Sequence, residues 1–177
     1  MNVVIGLAGQ IAAGKTTVAT RLAARLGIPR VSFGDEVRRI AAERGLPADR
    51  AVLQDLGDEL IASGWDSFCR AVLAQAPWQA GQSLVIDGIR HMGAIVTLQQ
   101  LVAPSPLVIV FLEAAPEARR ARLASREPTA QGPQSADGHP NESELHSVRR
   151  VADLVLPNPA DPDLTVTALL PWIALQR

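Results

Sequence analysis

The chain has 177 residues, a formal net charge of −1 and one cysteine, Cys69. This charge provides no basic excess for non-specific binding to nucleic acid, and one cysteine cannot form a disulfide or a cysteine-based zinc site within the chain. The start of the chain lacks the pattern of a secretion signal, and the longest apolar run, 107–112, is too short to span a bilayer. We therefore expect one cytoplasmic domain, monomeric or homodimeric, that binds a small molecule and neither nucleic acid nor a membrane.

Apolar runs alternate with segments of helical periodicity along the chain. In chain order, strands are predicted over 3–8, 30–33, 83–87, 107–112 and 153–156. Helices are predicted over 14–26, 35–44, 49–63, 65–75, 91–102, 116–126, 141–151 and 164–175. Such alternation predicts an α/β fold of three layers, in which a five-stranded parallel sheet carries helices on both faces. Ligands of such sheets lie beyond the carboxyl ends of the strands, so the residues there are the first candidates for a site.

The first predicted strand is followed by GQIAAGKTT, residues 9–17, which contains the only lysine of the chain, Lys15. It matches G-x-x-x-x-G-K-[ST] in full and lies between a buried strand and a helix, as a phosphate-binding P-loop does. The helix N-terminus favours an anion, Lys15 serves catalysis by reaching the β- and γ-phosphates, and Thr16 ligates Mg²⁺. The predicted fold is therefore that of P-loop NTPases, with ATP and Mg²⁺ as cofactors. The predicted nucleotide-binding residues of the loop are Gly9, Gln10, Ile11, Ala12, Ala13, Gly14, Lys15, Thr16 and Thr17.

The exit of the second predicted strand carries SFGDEVR, residues 32–38. Arg38 lies one helical turn beyond Asp35, so both side chains face one crevice, where a planar guanidinium suits a phosphate. The alternative is an aspartate that caps the helix and forms a surface pair with Arg38. The segment resembles the strand-to-helix connection of adenylate kinase and related nucleoside monophosphate kinases. This resemblance implies that Arg38 binds the acceptor monophosphate and that Asp35, a catalytic residue, lies near the metal and the transferred phosphoryl group.

The third predicted strand leads into LVIDGIR, residues 84–90. Asp87 follows an apolar run, as does the acidic residue that holds Mg²⁺ or its water shell in P-loop NTPases. An ordinary turn at the end of a strand is the alternative. The DGIR sequence resembles the D-G-x-x-R or D-x-R element of nucleoside and deoxynucleoside monophosphate kinases, although it is one residue shorter than the adenylate kinase pattern. The resemblance implies that Arg90 and Asp87 both belong to the acceptor site.

Four arginines occupy the helix predicted over 116–126. Arg122 and Arg126 are four residues apart and therefore lie on one face. A similar R-L-x-x-R stretch precedes the lid in P-loop kinases, where one arginine stacks on the donor base and the other reaches the phosphates. The resemblance implies that both are catalytic, because converging guanidinium groups stabilise the transition state, and that Arg122 also contacts ATP. The other two, Arg119 and Arg120, are expected on a solvated face of the helix, paired with Glu113 and Glu117.

The segment ADLVLPN, residues 152–158, resembles the last strand and turn of dephospho-coenzyme A kinases, which implies that Asn158 contacts adenine. The stretch over 127–140 is rich in Gly, Pro, Ser and Gln, so it is expected to be a functional or disordered loop at the lid position. The expected organisation is one domain over 1–177, with a core of 1–126 and 152–177, a lid over about 127–150 and acceptor-binding helices over about 35–80.

Together these segments resemble a small P-loop kinase that transfers the γ-phosphoryl group of ATP to a nucleoside or deoxynucleoside monophosphate. One alternative is a dephospho-coenzyme A kinase-like enzyme, in which Asp35 would act as the base toward a ribose hydroxyl. Another is a nucleotide-binding regulatory module without transferase activity. A GTPase is disfavoured because the chain has no N-K-x-D element, and an AAA-type motor because the chain has no room for the extra helical domain.

Overall fold

The computed structural model describes residues 2–126, 141–159 and 161–176. Its strands are β1 (Val4–Gly9), β2 (Arg30–Ser32), β3 (Leu84–Ile89), β4 (Leu107–Glu113) and β5 (Leu154–Pro157). Its helices are α1 (Lys15–Leu26), α2 (Phe33–Glu43), α3 (Arg50–Ala62), α4 (Trp65–Leu73), α5 (Met92–Leu101), α6 (Pro116–Arg126), α7 (Asn141–Val151) and α8 (Pro162–Ala174). Every predicted element is present, with ends that shift by one or two residues at most. Among the described residues, no helix has both the length and the apolar character that a membrane crossing requires.

The five strands form one parallel sheet in the order β2-β3-β1-β4-β5. β1 lies in the centre, where Gly6 pairs with Ile86 of β3 on one side and with Ile109 of β4 on the other. Because the strands are parallel, their carboxyl ends meet at one edge of the sheet, and the segments that follow β1, β2 and β3 emerge there together. The α/β fold with a five-stranded parallel sheet, as predicted from the alternating pattern, is confirmed.

Apolar residues on the two faces of the sheet form two separate core layers. One layer packs α1 and α8 against the sheet and contains Ile5, Leu22 and Leu169, all fully buried. The other packs α4, α5 and α7 against the opposite face and contains Phe68 and Leu98. Successive residues of β1 alternate between the layers, as strand geometry requires. Helices therefore cover both faces, and the sheet is a firm support for the side chains at its carboxyl edge.

β3 extends two residues beyond its predicted end, so Asp87 lies inside the strand rather than in a turn after it. The pairing with β1 shifts between Leu7, which lies opposite Asp87, and Ala8, which lies opposite Ile89. This shift leaves Gly88 as the extra residue of a β-bulge, with a φ of 92° that favours glycine. The same glycine would suit a turn, which is why the sequence pattern placed the end of the strand too early.

α2 begins at Phe33, directly after β2 and two residues earlier than predicted. Ser32 caps the helix, because its hydroxyl accepts a hydrogen bond from the backbone N–H of Asp35 at 3.2 Å. Asp35 therefore lies in the first turn, and its expected alternative role as the capping residue is wrong. The side chain of Gln75 accepts from the backbone N–H of Ser32 at 3.0 Å and donates to its carbonyl at 2.8 Å. These contacts fix the point at which the chain leaves the sheet beside β3.

Candidate active site

The phosphate loop, residues 9–17, joins β1 to α1 and holds a buried lysine. Lys15 is the first residue of α1 and is 7% exposed. Its Nζ donates to the carbonyl oxygens of Gly9 and Gln10, each at 2.7 Å. The loop turns through positive φ values at Ala12 (59°) and Gly14 (87°), and for alanine this conformation costs roughly 1–2 kcal/mol. Such strain is typical of functional sites, and here it brings the lysine ammonium to the N-terminus of a helix, where an anion is favoured.

Asn158 anchors the phosphate loop to the last strand and helix. It is 4% exposed, and its Nδ2 donates to the carbonyl of Ala13 at 2.6 Å. Its Oδ1 accepts from the hydroxyl of Thr165 in α8 at 2.7 Å, and its backbone N–H donates to the carbonyl of Glu113 at 2.6 Å. A Cβ at Gly14 would lie 2.5 Å from Nδ2, so glycine is required opposite this amide. The structure thus gives Asn158 a role in holding the loop, while its contact with adenine stays a prediction.

Two arginines of α6 bind backbone carbonyls of the phosphate loop region. Arg122 donates to the carbonyl of Ala12 at 3.2 Å and to that of Pro159 at 2.9 Å. Arg119 is 7% exposed, and its Nε donates to the carbonyl of Ile11 at 3.0 Å. The expected surface position of Arg119 is wrong, because residues three apart on a helix share a face and Arg119 therefore turns inward with Arg122. The contacts of Arg122 with ATP and its catalytic role stay predictions.

The remaining arginines of α6 are Arg120, on its outer face, and Arg126, at its end. Arg120 is exposed and pairs with Glu117, as predicted. The loop over 127–140, predicted as a lid, lies outside the residues that the structure describes, and so does the side chain of Arg126. The catalytic role of this arginine and the closure of the lid therefore stay predictions. α7, which follows that loop, buries Val148 in the core layer that contains α4 and α5.

Asp87 has the position and environment of a metal-binding carboxylate. It is 2% exposed and lies opposite Ser32 of β2 and beside β1. Its Oδ2 accepts from Arg30 at 3.3 Å, whereas its Oδ1 has no hydrogen-bond partner among the described residues. An unsatisfied buried carboxylate oxygen is costly, and Mg²⁺ or its water shell would satisfy it. Asp87 and Thr16 line one cavity and fit an ion held mainly by phosphate and water. The described part of the chain contains no cluster of three or more ligating side chains that would suit a metal bound by protein alone.

A chain of ion pairs connects Asp87 to the exit of β2. Arg30 contacts Asp87 and also donates to Asp35 Oδ2 at 2.7 Å, while Asp35 Oδ1 accepts from Arg38 at 2.6 Å. The pair of Asp35 and Arg38 that belonged to the alternative interpretation is therefore formed, while the phosphate-binding role of Arg38 stays a prediction. Burial alone raises the pKa of Asp35, but the hydrogen bonds and charges of Arg38 and Arg30 outweigh it and hold this pKa below 3.8. Asp35 thus stays ionised at neutral pH, and both of its carboxylate oxygens are engaged by guanidinium groups.

One cavity of about 530 Å³ runs along the carboxyl edge of the sheet, from the phosphate loop to α3. It brings together most of the residues that the motifs predicted. The predicted site residues that line it are Gly9, Ile11, Ala12, Gly14, Lys15, Thr16, Arg38, Asp87 and Arg90. The predicted residues that are described but lie outside its lining are Gln10, Ala13, Thr17, Asp35, Arg122 and Asn158.

The cavity is locally basic, although the whole chain carries a net charge of −1. Its basic lining residues are Lys15, Arg38, Arg50, Arg90 and Arg119, and its acidic ones are Asp58 and Asp87. An excess of cations in a concave site attracts multiply charged anions. Two of these cations, Arg50 and Arg119, were missed by the sequence analysis. No motif surrounds Arg50, but the position of Arg119, one turn before Arg122, was a signal that could have identified it.

The wall of the cavity opposite the phosphate loop is apolar and aromatic. The rings of Phe33 and Phe68 meet edge to face with centroids 5.2 Å apart. The indole of Trp65 stacks on Phe68 at 6.3 Å and lies 5.4 Å from the ring of His91. Gly93 makes room for this indole, because a Cβ there would lie 2.1 Å from Trp65 Nε1. Trp65 is only partly buried and lines the cavity, so the wall offers a flat surface to a planar group.

Comparison with known proteins identifies the family. The AAA_18 family, whose description is "AAA domain", matches residues 5–146, which include the phosphate loop and all the residues that line the cavity. The chain belongs to the AAA_18 family. The match to this family covers residues 5–146 and does not concern a further helical domain. The argument against a motor concerned a further helical domain, and it stays a prediction.

Individual relatives and solved structures add detail to this AAA_18 assignment. A UPF0200 protein of Methanothrix thermoacetophila is 34% identical over 124 residues, which are 70% of this chain and 65% of that protein, so the match spans just under two thirds of the relative's length. A candidate kinase of Chloroflexus aurantiacus superposes with a TM-score of 0.65 at 22% identity, covering 99% of this chain and 98% of the other. Shikimate kinase from Acinetobacter baumannii, in complex with shikimate, superposes with a TM-score of 0.62 at 19% identity, covering 100% and 96%. The AAA_18 chain therefore has the three-layer fold of P-loop kinases.

Proposed function

We propose that this chain is an ATP- and Mg²⁺-dependent phosphotransferase whose acceptor is a nucleoside or deoxynucleoside monophosphate. The observation that carries the proposal is the continuity of the cavity. A phosphate-binding loop at one end shares a space of about 530 Å³ with arginines and an aromatic wall at the other. A site that bound ATP alone would not need this second half, whereas a transferase must hold donor and acceptor in contact.

The donor end of the cavity has the groups that phosphoryl transfer requires. Backbone N–H groups of the phosphate loop bind the β- and γ-phosphates, and Lys15 neutralises charge on the group in transfer. Arg119 touches the loop, lines the cavity and adds a cation where negative charge grows in the transition state. Mg²⁺, when bound, neutralises charge on the phosphate oxygens, and Thr16 and Asp87 are the residues that would hold it.

The acceptor end suits a phosphate better than a hydroxyl group. An oxygen of the acceptor phosphate forms the new bond to the γ-phosphorus as the bond to the ADP oxygen breaks, so the products are ADP and a nucleoside diphosphate. This acceptor oxygen is already deprotonated near neutral pH, and no general base is needed. A ribose hydroxyl, by contrast, requires a base, and both oxygens of Asp35 already accept from Arg30 and Arg38. This environment favours a monophosphate acceptor over dephospho-coenzyme A.

A coupled assay of ADP release tests the proposal on the full chain. The candidate acceptors are nucleoside and deoxynucleoside monophosphates, dephospho-coenzyme A, shikimate and unphosphorylated nucleosides. We expect ADP release with one or more monophosphates, and mass spectrometry should identify the corresponding diphosphate. Activity only with dephospho-coenzyme A or shikimate would overturn the acceptor class. Calorimetric binding of ATP without transfer to any acceptor would instead favour the regulatory module.

A further inference from the structure

α3 packs Leu60 and Ile61 against one core layer and also contributes side chains to the lining of the cavity. The cavity-lining residues of α3 recur at spacings of about one turn and are Arg50, Leu53, Gln54, Gly57, Asp58 and Ile61. Within this helix, all of which the structure describes, Leu56 is the buried residue. Core packing accounts for Leu56, Leu60 and Ile61. It does not account for the polar residues Arg50, Gln54 and Asp58, which a ligand in the cavity would explain.

Arg50 is in an unfavourable electrostatic position for a cation. It is the first residue of α3, after the capping Asp49, and the N-terminus of a helix disfavours positive charge. Its charge also acts on Arg90: burial lowers the pKa of Arg90, nearby Asp87 raises it, and Arg50 lowers it further. Among the described residues, no carboxylate forms an ion pair with either arginine. Arg50 and Arg90 thus line the same cavity without an ion pair to a described carboxylate, although the charge of Asp87 acts on Arg90.

Arg38, the arginine that the resemblance assigned to the acceptor phosphate, is in a different situation. It is tied to Asp35 at 2.6 Å, and its side chain is 54% exposed. A phosphate dianion at Arg38 would have to compete with that carboxylate. The same dianion between Arg50 and Arg90 would meet two guanidinium groups, and its negative charge would offset the repulsion between their positive charges.

We propose that Arg50 and Arg90 together form the subsite for the phosphate of the acceptor, and that Arg50 selects a doubly charged phosphate over a carboxylate or a hydroxyl. This inference rests on the proposed function of the same cavity. Two guanidinium groups match the charge and the several oxygens of a phosphate, whereas a carboxylate would leave one of them without compensation.

The variant Arg50→Gln tests the subsite by steady-state kinetics. We expect the KM for the acceptor to rise about 10- to 100-fold, because charge-assisted hydrogen bonds are lost, while the KM for ATP is unchanged. The Tm should stay the same or rise by about 1–3 °C, because the variant removes a cation from a helix N-terminus and from the vicinity of Arg90. Arg50→Lys should recover part of the acceptor affinity. Arg70→Gln, on the exposed face of α4, is the control and should change neither KM.

Three results in this series would contradict the subsite. An unchanged acceptor KM in Arg50→Gln would place Arg50 outside the acceptor site. A rise confined to the KM for ATP would assign it to the donor. A lower Tm together with equal losses in both KM values would make it a structural residue.

A direct titration separates this inference from the proposed activity. A nucleoside monophosphate is titrated calorimetrically into protein whose phosphate loop is saturated with ADP and Mg²⁺, and the corresponding nucleoside without phosphate is the control ligand. Binding by the wild type that Arg50→Gln loses, with no turnover on any acceptor, would retain the subsite and overturn the transferase. Equal binding by both proteins would overturn the subsite alone, and no binding by the wild type would overturn both. The nucleoside should not distinguish the two proteins.

Discussion

Replacing Asn158 with alanine tests whether this residue holds the phosphate loop or only contacts the nucleotide. The change removes the hydrogen bonds to the Ala13 carbonyl and from the Thr165 hydroxyl, both in the protein interior. Leaving two buried polar groups without partners costs about 1–3 kcal/mol for each, so we expect a loss of about 3 kcal/mol or more in the free energy of unfolding. For a chain of this size that loss lowers the Tm by about 6–12 °C. Thr165→Val removes one of the two bonds and should cause about half the shift.

The assay combines thermal unfolding with calorimetric titration of two ligands, MgATP and magnesium tripolyphosphate. If Asn158 holds the loop, Asn158→Ala weakens both ligands by the same factor, because the loop must then be ordered when the phosphates bind. Asn2→Ala is the matched control, since the amide of Asn2 is also bonded to a carbonyl but at an exposed position. A Tm within about 1 °C of the wild type would refute the structural role. A loss of affinity for MgATP alone would instead support contact with adenine.

Three further substitutions have separate readouts. Lys15→Ala should lower kcat at least about 100-fold, because a cation is removed from the transferred phosphoryl group, and unchanged turnover would contradict the phosphate-loop assignment. Gly93→Ala should displace the indole of Trp65, which lies within 2.1 Å of the new Cβ, so tryptophan fluorescence and the acceptor KM should change while the KM for ATP does not. His91→Gln should remove one component of acid sensitivity: burial lowers the pKa of His91 below 6.5, so the unfolded chain takes up a proton that the folded chain does not, and stability falls as the pH drops below 6.5. Urea unfolding of both proteins at about pH 7.5 and 5.5 checks this, and an equal loss in the variant would contradict it.

Features set by local pattern were predicted from the sequence, and features set by packing between distant segments were not. The buried strands and the phosphate loop were identified because a continuous apolar run and a spaced glycine–lysine motif each have a local physical meaning. The end of β3 was misplaced because Gly88 suits both a turn and a bulge, and only the pairing of Ile89 with Ala8 distinguishes them. The exit of β2 was located, but the contacts of Ser32 with Gln75, more than forty residues later, have no local signature.

The positions of the arginines were also predictable from the sequence only in part. Arg119 and Arg120 are neighbours in sequence, yet one is buried against the phosphate loop and the other is exposed and paired with Glu117. Helical periodicity identifies the buried face of a helix from the positions of its apolar residues. Because α6 has arginines on several faces, the pattern did not show which of them turn toward the protein interior. Arg50 precedes Arg90 by forty residues, and only the folded chain brings both to the lining of one cavity.

The contacts of Gln75 with Ser32 affect whether a further strand can add to the edge of the sheet. β2 is an edge strand of three residues, and exposed edges of a sheet are templates on which a further strand can add. At Ser32 the amide of Gln75 occupies both the donor and the acceptor position that such a strand would use. The opposite edge, β5, has four residues and ends in Pro157, which has no N–H to donate. Both edges of the sheet therefore carry a local obstacle to strand addition, at Ser32 on β2 and at Pro157 on β5.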